Sequence, residues 1–324
     1  MTKIVIDTLG ADMGLSTIVQ GVAKALKQNM DFFPVLVGPQ EQLRQILDAE
    51  QIDPAAYELM DGSQFIRNED PPTAIFGEGN EKTMAKAYDR LKSDDSCNAM
   101  LSAGNTGAML VGSICRLGLV PGLKFPVLAS ALPCNGENLL CLMDCGANVE
   151  CTADDLARFA RMGHVFAKSY VGIENPRIGL MSVGREDQKG TALTKEAFAK
   201  ISQLGLNFVG NVEGSDLVTD YVDVVVADGF SGNLLLKCAE SVGKAAMQIV
   251  RRCGDQAMAD KICQALYETF DFNSRGAATF LGTKKTVLKM HGAANADTVV
   301  ASIAQILRLE NSRFSQAMAE EFTK

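Results

Sequence analysis

The chain has little of what metal and nucleotide sites are usually built from. It holds only two histidines, and its nine cysteines form no CxxC pair, so no zinc-type ligand set is expected. Neither GxGxxG nor GxxxxGK[ST] occurs, so neither NAD nor ATP is indicated. Basic charge is in deficit. A formal net charge of -8 argues against nucleic acid as the main partner, because duplex binding needs a basic face. No uninterrupted apolar run reaches the roughly 18 residues that a membrane span needs, and the opening MTKIVIDTLGAD lacks a signal-peptide core. An odd number of scattered cysteines fits reduced thiols better than a disulfide framework. The expectation is a cytoplasmic protein without metal or cofactor.

What is present is an ordinary globular composition. The chain's 324 residues, 47% hydrophobic and 22% charged, suffice for one large α/β domain or two smaller ones. No repeat, low-complexity tract or linker interrupts it, so one continuous domain over 1–324 is expected, with a helical excursion at about 235–285. Short apolar runs (KIVID, PVLVG, YELM and those near 99–102, 127–131, 139–144, 177–182, 207–209, 223–227 and 286–290) alternate with helical patterns. That alternation predicts an α/β fold with a mostly parallel sheet. Thr152 and Asp155 form a capping-box start for a helix, and Gly254 is expected to end another. The helix after it places Met258, Ile262, Leu266 and Phe270 on one stripe, read first as an amphipathic core helix. The polar stretch 61–82, with Pro71 and Pro72, predicts a long surface loop.

Five Gly/Asn-rich loops follow apolar runs: SAGNTGA, DCGANVEC, GREDQKG, GNVEG and ADGFSGN. In open α/β sheets ligands bind outside the carboxyl ends of the strands, so these loops predict an anion site. In SAGNTGA, Gly104 and Gly107 permit close backbone approach. Ser102, Asn105 and Thr106 add donors, and a helix starting near Thr106 would point its N–H groups at the ligand. A capped strand-to-helix turn is the plainer alternative. Lys189 either neutralises phosphate or a developing oxyanion or is a solvated surface lysine. Asn233 either bonds substrate or caps its helix; Asp228 either orients Lys189 or shapes the turn. Asn148 and His291 stand at further strand ends. Glu150 and Glu213 have no defined separation, and His164 sits inside a helix. Cys145 and Cys151 flank GANV and are read as structural thiols.

Taken in order, SAGNTGA, DCGANVEC, NPRIGLMSVGREDQKGTALTKEAF, FVGNVEGSD and VDVVVADGFSGN resemble the bacterial phosphate acyltransferase family of phospholipid synthesis. The resemblance covers nearly the whole chain. It implies a Rossmann-like three-layer α/β/α sandwich related to phosphotransacetylase and isocitrate dehydrogenase, and a homodimer. It also implies transfer of a fatty acyl group from acyl-[acyl carrier protein] to inorganic phosphate, with at most weak peripheral membrane contact. Acidic Asp255, Asp260 and Glu268 outweigh Lys261 on the helix over that region. Helices within 235–285, with Phe272 among their apolar residues, would form an acyl groove or a dimer contact.

This sequence departs from the family pattern at DTLGAD, at FGEGNEK (where only Lys82 remains of a basic stretch), at Gly190-Thr191, at RGAATFLG and at His291-Gly292-Ala293-Ala294. The departures leave the acyl donor open. A related phosphotransacylase using short-chain acyl-CoA or an enzyme-bound thioester, as in the acyl-phosphate-forming subunit of glycine reductase, is one alternative. A non-catalytic subunit binding acyl ligand or carrier protein is another. For phosphate attack on a thioester no enzyme nucleophile is needed; alignment and oxyanion donors suffice. Lys189 and Asn233 are the expected catalytic residues. Ser102, Gly104, Asn105, Thr106, Gly107, Asn148, Asp228 and His291 are the expected phosphate or substrate contacts.

Overall fold

The structure is a computed structural model that describes residues 1–134, 138–253, 256–270 and 276–323. The chain divides into two compact units, one of Met1–Pro126 with Arg275–Lys324 and one of Val127–Ser274.

The first unit opens with β1 (Thr2–Asp7), α1 (Leu15–Lys27), β2 (Phe32–Gly38), α2 (Gln40–Ala49) and β3 (Glu58–Asp61). After a loop with two short 3-10 turns come α3 (Thr83–Ser93), β4 (Cys97–Ser102) and α4 (Thr106–Gly112), which runs on into a π-helical turn. β1 lies between β2 and β4, parallel to both, and β3 extends the sheet beyond β2. Ile4, Val5, Ile6, Val35, Leu36, Met100 and Leu101 are all fully buried. Continuous apolar strands of this kind belong in a parallel sheet covered on both faces.

The second unit contains β5 (Val127–Pro133), β6 (Leu139–Met143), α5 (Ala153–Phe166), β7 (Ile178–Met181), α6 (Ala192–Ile201), β8 (Phe208–Val212) and β9 (Val224–Val226). The long helices α7 (Gly229–Cys253) and α8 (Gln256–Phe270) complete it. Its strand order is β5-β6-β9-β7-β8. β6, β9, β7 and β8 run parallel and only β5 is antiparallel. The Thr152/Asp155 capping box opens α5 as expected.

The chain then returns to the first unit with β10 (Ala278–Leu281), β11 (Thr286–Lys289), α9 (Ala296–Asn311) and α10 (Phe314–Thr323). β11 joins β4 in parallel and β10 pairs antiparallel to β11. α9 packs against α1, where a Cβ on Gly21 would meet Val299 at 2.5 Å.

Three local readings change. β10 is a strand that the ATFL segment did not announce. The 258/262 stripe of α8 faces outward, with Met258 58% and Ile262 41% exposed. The buried residues are instead Ala259 and Cys263, small side chains that let α8 lie close against α7 and β5. Asn233 is not a helix cap, because α7 starts four residues earlier. The expected stop at Gly254, and Asp255 and Phe272, lie outside the described residues, as do the side chains of Glu268 and Phe270.

Candidate active site

In the first unit β1, β4 and β11 are parallel neighbours, so the loops after them emerge at one edge. They are physically tied together. The Asp12 N–H donates to the Gly292 carbonyl at 2.8 Å, and a Cβ on Gly10 would lie 2.9 Å from Gly104 Cα, so these loops touch backbone to backbone. Ser102 Oγ donates to Asp7 Oδ2 at 2.7 Å and accepts from the Gly104 N–H at 3.0 Å. Both residues are buried. Burial pushes the Asp7 carboxyl up to about 6 against the hydrogen bonds from Thr83, Ser102 and the Leu9 N–H. Ser102 is therefore a brace within the loop.

Asn105 is fully engaged. Its Oδ1 caps α4 by accepting the Ala108 N–H at 2.9 Å. Its Nδ2 donates to the carbonyls of Arg67, Asn68 and Asp70 at 2.9, 3.2 and 3.1 Å. The 61–82 loop is thereby fastened over the start of α4, and Gly107 leaves the room that Pro72 occupies. Lys82 is paired with Asp70 at 3.6 Å. The Thr106 and Gly107 N–H groups donate to no described residue, which leaves them and the Thr106 side chain available to a ligand. His291 is exposed, and its Nδ1 accepts the Ala293 N–H at 3.1 Å.

In the second unit β6, β9 and β7 are likewise parallel neighbours, and DCGANVEC, ADGFSGN and GREDQKG leave their carboxyl ends. Asp144 is buried and organises the first of these. Its carboxylate accepts from the N–H groups of Gly146 and Ala147 at 3.0 Å, Asn148 at 2.6 Å and Leu128 at 3.2 Å, and from Asn148 Nδ2 at 2.7 Å. Burial nevertheless raises its carboxyl above the ordinary range. Two glycines of α7 seat that helix on this loop. A Cβ on Gly232 would lie 1.9 Å from the Asp144 carbonyl, and one on Gly229 would lie 2.5 Å from that of Asn148. Asp228 caps α7, accepting from Ser231 N and Oγ at 2.8 Å; it shapes the turn and does not orient Lys189.

Asn233 is exposed, and its Oδ1 would stand 3.5 Å from a Cβ on Gly146. Among the described residues nothing hydrogen-bonds its side chain. Lys189 is also exposed. Its stem lies over Gly184, whose Cβ would meet Cγ at 3.1 Å, and its ammonium has no acidic partner among the described residues. The loop thus presents an exposed cation with no salt bridge among the described residues, and Glu186 Oε2 lies over the same glycine, 2.8 Å from its would-be Cβ.

The neighbouring thiols are not poised as nucleophiles, because burial pushes those of Cys145 and Cys151 up to about 12. No group of His, Cys, Asp and Glu among the described residues is placed to hold a metal ion.

The chain is similar to known proteins in sequence and in fold. A family model described as "Fatty acid synthesis protein" matches residues 2–317. The chain is 31% identical to the phosphate acyltransferase of Clostridioides difficile, covering 99% of this chain and 96% of that one. It is 35% identical to that of Thermoanaerobacter pseudethanolicus, over 94% and 92%. The chain belongs to the phosphate acyltransferase family. It is accordingly an enzyme of fatty acid and phospholipid synthesis. Its fold resembles a phosphotransacetylase from Streptococcus pyogenes, with a TM-score of 0.66 at 16% identity over 98% of this chain and 94% of that one. It also resembles isocitrate dehydrogenase from Methylococcus capsulatus, with a TM-score of 0.50 at 10% identity over the whole of both chains.

Sequence reasoning missed one cation at the first unit's edge. Lys289 Nζ donates to the Ala103 carbonyl at 3.4 Å and to the Met290 carbonyl, tying β11 to the SAGNTGA loop. A lysine near the end of the otherwise apolar TVLKM strand was the available signal.

Proposed function

We propose that the acyl donor is a long-chain acyl-[acyl carrier protein] and that the product is acyl-phosphate. The carrying observation is the pair of unengaged polar side chains at the strand ends of the second unit, Lys189 and Asn233. Inorganic phosphate is already an anion at neutral pH, and a thiolate departs without a strong acid, the thiol pKa being roughly 8.5. The enzyme's contribution is therefore alignment and charge stabilisation. Lys189 supplies the positive charge for phosphate or the tetrahedral oxyanion, and Asn233 supplies amide hydrogen bonding at the reacting centre. Taken by itself, the first unit offers an anion the Thr106 and Gly107 N–H groups, the Thr106 hydroxyl and His291 at the neighbouring strand end. Gly104, Ser102, Asn105, Asn148 and Asp228 hold the loops in shape.

The expectation of a homodimer finds support in the apolar side chains that α7 leaves exposed, Leu234, Val242 and Ile249, which such a contact would cover. Among the described residues no helix is long and apolar enough to cross a membrane.

The test is phosphate-dependent thiol release from palmitoyl-[acyl carrier protein], acetyl-CoA and butyryl-CoA, for the wild type and Lys189→Ala. Release from the carrier substrate, reduced on the order of 10²–10³-fold in the variant, is the expected result. Activity confined to the short CoA esters would move the donor to that class. Undiminished turnover by Lys189→Ala would end the assignment of Lys189.

A further inference from the structure

The GNVEG loop raises a question that the substrate reading leaves unanswered. Asn211 is 2% exposed, so it is a buried amide and not a surface donor. Its Nδ2 donates at 2.9 Å to the Glu186 carbonyl. That same carbonyl accepts the backbone N–H of Lys189, also at 2.9 Å. The amide of Asn211 thus grips the turn that sets the lysine's backbone. Among the described residues Asn211 Oδ1 has no hydrogen-bond partner, although burying a polar atom without one is costly.

A second hold acts at Arg185, the residue immediately before Glu186. Arg185 Nη2 donates to Asp216 Oδ1, and its guanidinium stands 4.7 Å from the Tyr221 ring centroid. Asp216 is 1% exposed, and its other oxygen accepts the Glu213 N–H at 2.9 Å, closing a reciprocal capping box with Glu213. Its carboxylate is thus held rigid from its own side before Arg185 reaches it. The ion pair in turn lifts the Arg185 guanidinium further above its ordinary range. Two side chains of the FVGNVEGSD segment, Asn211 and Asp216, therefore pin the loop over 183–190 at adjacent positions. Lys189, whose ammonium has no acidic partner among the described residues, takes its direction from the backbone beneath it and from Gly184 under its stem.

We propose that Asn211 and the Arg185–Asp216 pair are positioning residues that act on catalysis through Lys189. This rests on the reading of Lys189 given above. Neither group touches substrate; they hold the loop from which the ammonium projects. A displacement of about 1 Å in such a group can cost on the order of 10²-fold in rate.

The experiment is a pair of double-mutant cycles. Asn211→Ala and Arg185→Met are made on the wild type and on Lys189→Ala, with Arg185→Lys as the conservative variant, and kcat/KM for phosphate is read with palmitoyl-[acyl carrier protein]. In the wild-type background a loss of about 10- to 100-fold is expected, mostly restored in Arg185→Lys. In the Lys189→Ala background the same changes should cost less than about threefold, since the group they position is gone. Equal losses in both backgrounds, or none in either, would overturn the proposal. Full activity of Lys189→Ala alone would instead remove the reading beneath it, so the two failures are distinguishable. Amide hydrogen exchange across 183–190 gives a readout independent of turnover. Faster exchange there in Asn211→Ala, at an unchanged rate in α5, supports the brace; unchanged exchange across 183–190 overturns it.

Discussion

Asp7 ends its strand with a carboxyl that burial holds near 6, against an ordinary value of 3.8. The folded state then keeps a proton that the unfolded chain has already lost. Between those two values the folded state binds more protons, so stability falls as pH rises through the window and stays lower above it. A shift of this size corresponds to about 3 kcal/mol at roughly 1.4 kcal/mol per pH unit. Urea unfolding of the wild type and Asp7→Asn from pH 3.5 to 7.5 should show the wild type losing about that much more. Asp144 is raised in the same direction and remains in both proteins, so the difference between the two curves isolates Asp7. Parallel curves would mean that the Ser102 and Leu9 hydrogen bonds offset the burial.

At the scale of elements, the role proposed for Asn233 depends on how closely α7 sits on the loop after β6. Gly232 is the contact point, and any Cβ there would meet backbone 1.9 Å away, so the helix must move. Gly232→Ala should cost about 1–3 kcal/mol as an overpacking change. Because Asn233 is the next residue, it should also lower acyl-phosphate formation more than the stability loss explains. Denaturation midpoints together with turnover at a temperature where both proteins are folded check this. A variant with reduced stability but full turnover would separate Asn233 from the helix seat. Element types were largely legible in the sequence, because short continuous apolar runs and apolar spacing of period 3.6 report local burial. The α8 stripe failed because apolar identity alone does not say which face finds a neighbour. Small Ala259 and Cys263 allowed the closer approach, so they were buried while Met258 and Ile262 stayed out.

For the whole molecule, thiol reactivity depends on where the chain has been covered. Cys115 and Cys238 are exposed, whereas Cys141 and Cys145 are buried, with the Cys145 thiol raised to about 12. Brief alkylation at pH 8 followed by peptide mapping should label Cys115 and spare Cys141 and Cys145. Phosphate-dependent turnover should survive, since no thiol is assigned to the chemistry. Labelling of Cys145 with matching loss of activity would contradict that assignment.

Strand-end loops and the capping box at Thr152 were determined by the sequence alone. Each rests on residues a few positions apart, whose backbone chemistry is local. Tertiary structure decided which of those loop side chains remain available. Asn105 and Asn233 stand in similar Gly-rich turns, yet three carbonyls from 35 to 38 residues away consume the amide of Asn105, while nothing in the described chain reaches that of Asn233. A hydrogen-bonding group is free or spent according to which distant backbone arrives beside it, and only the folded chain brings that backbone there.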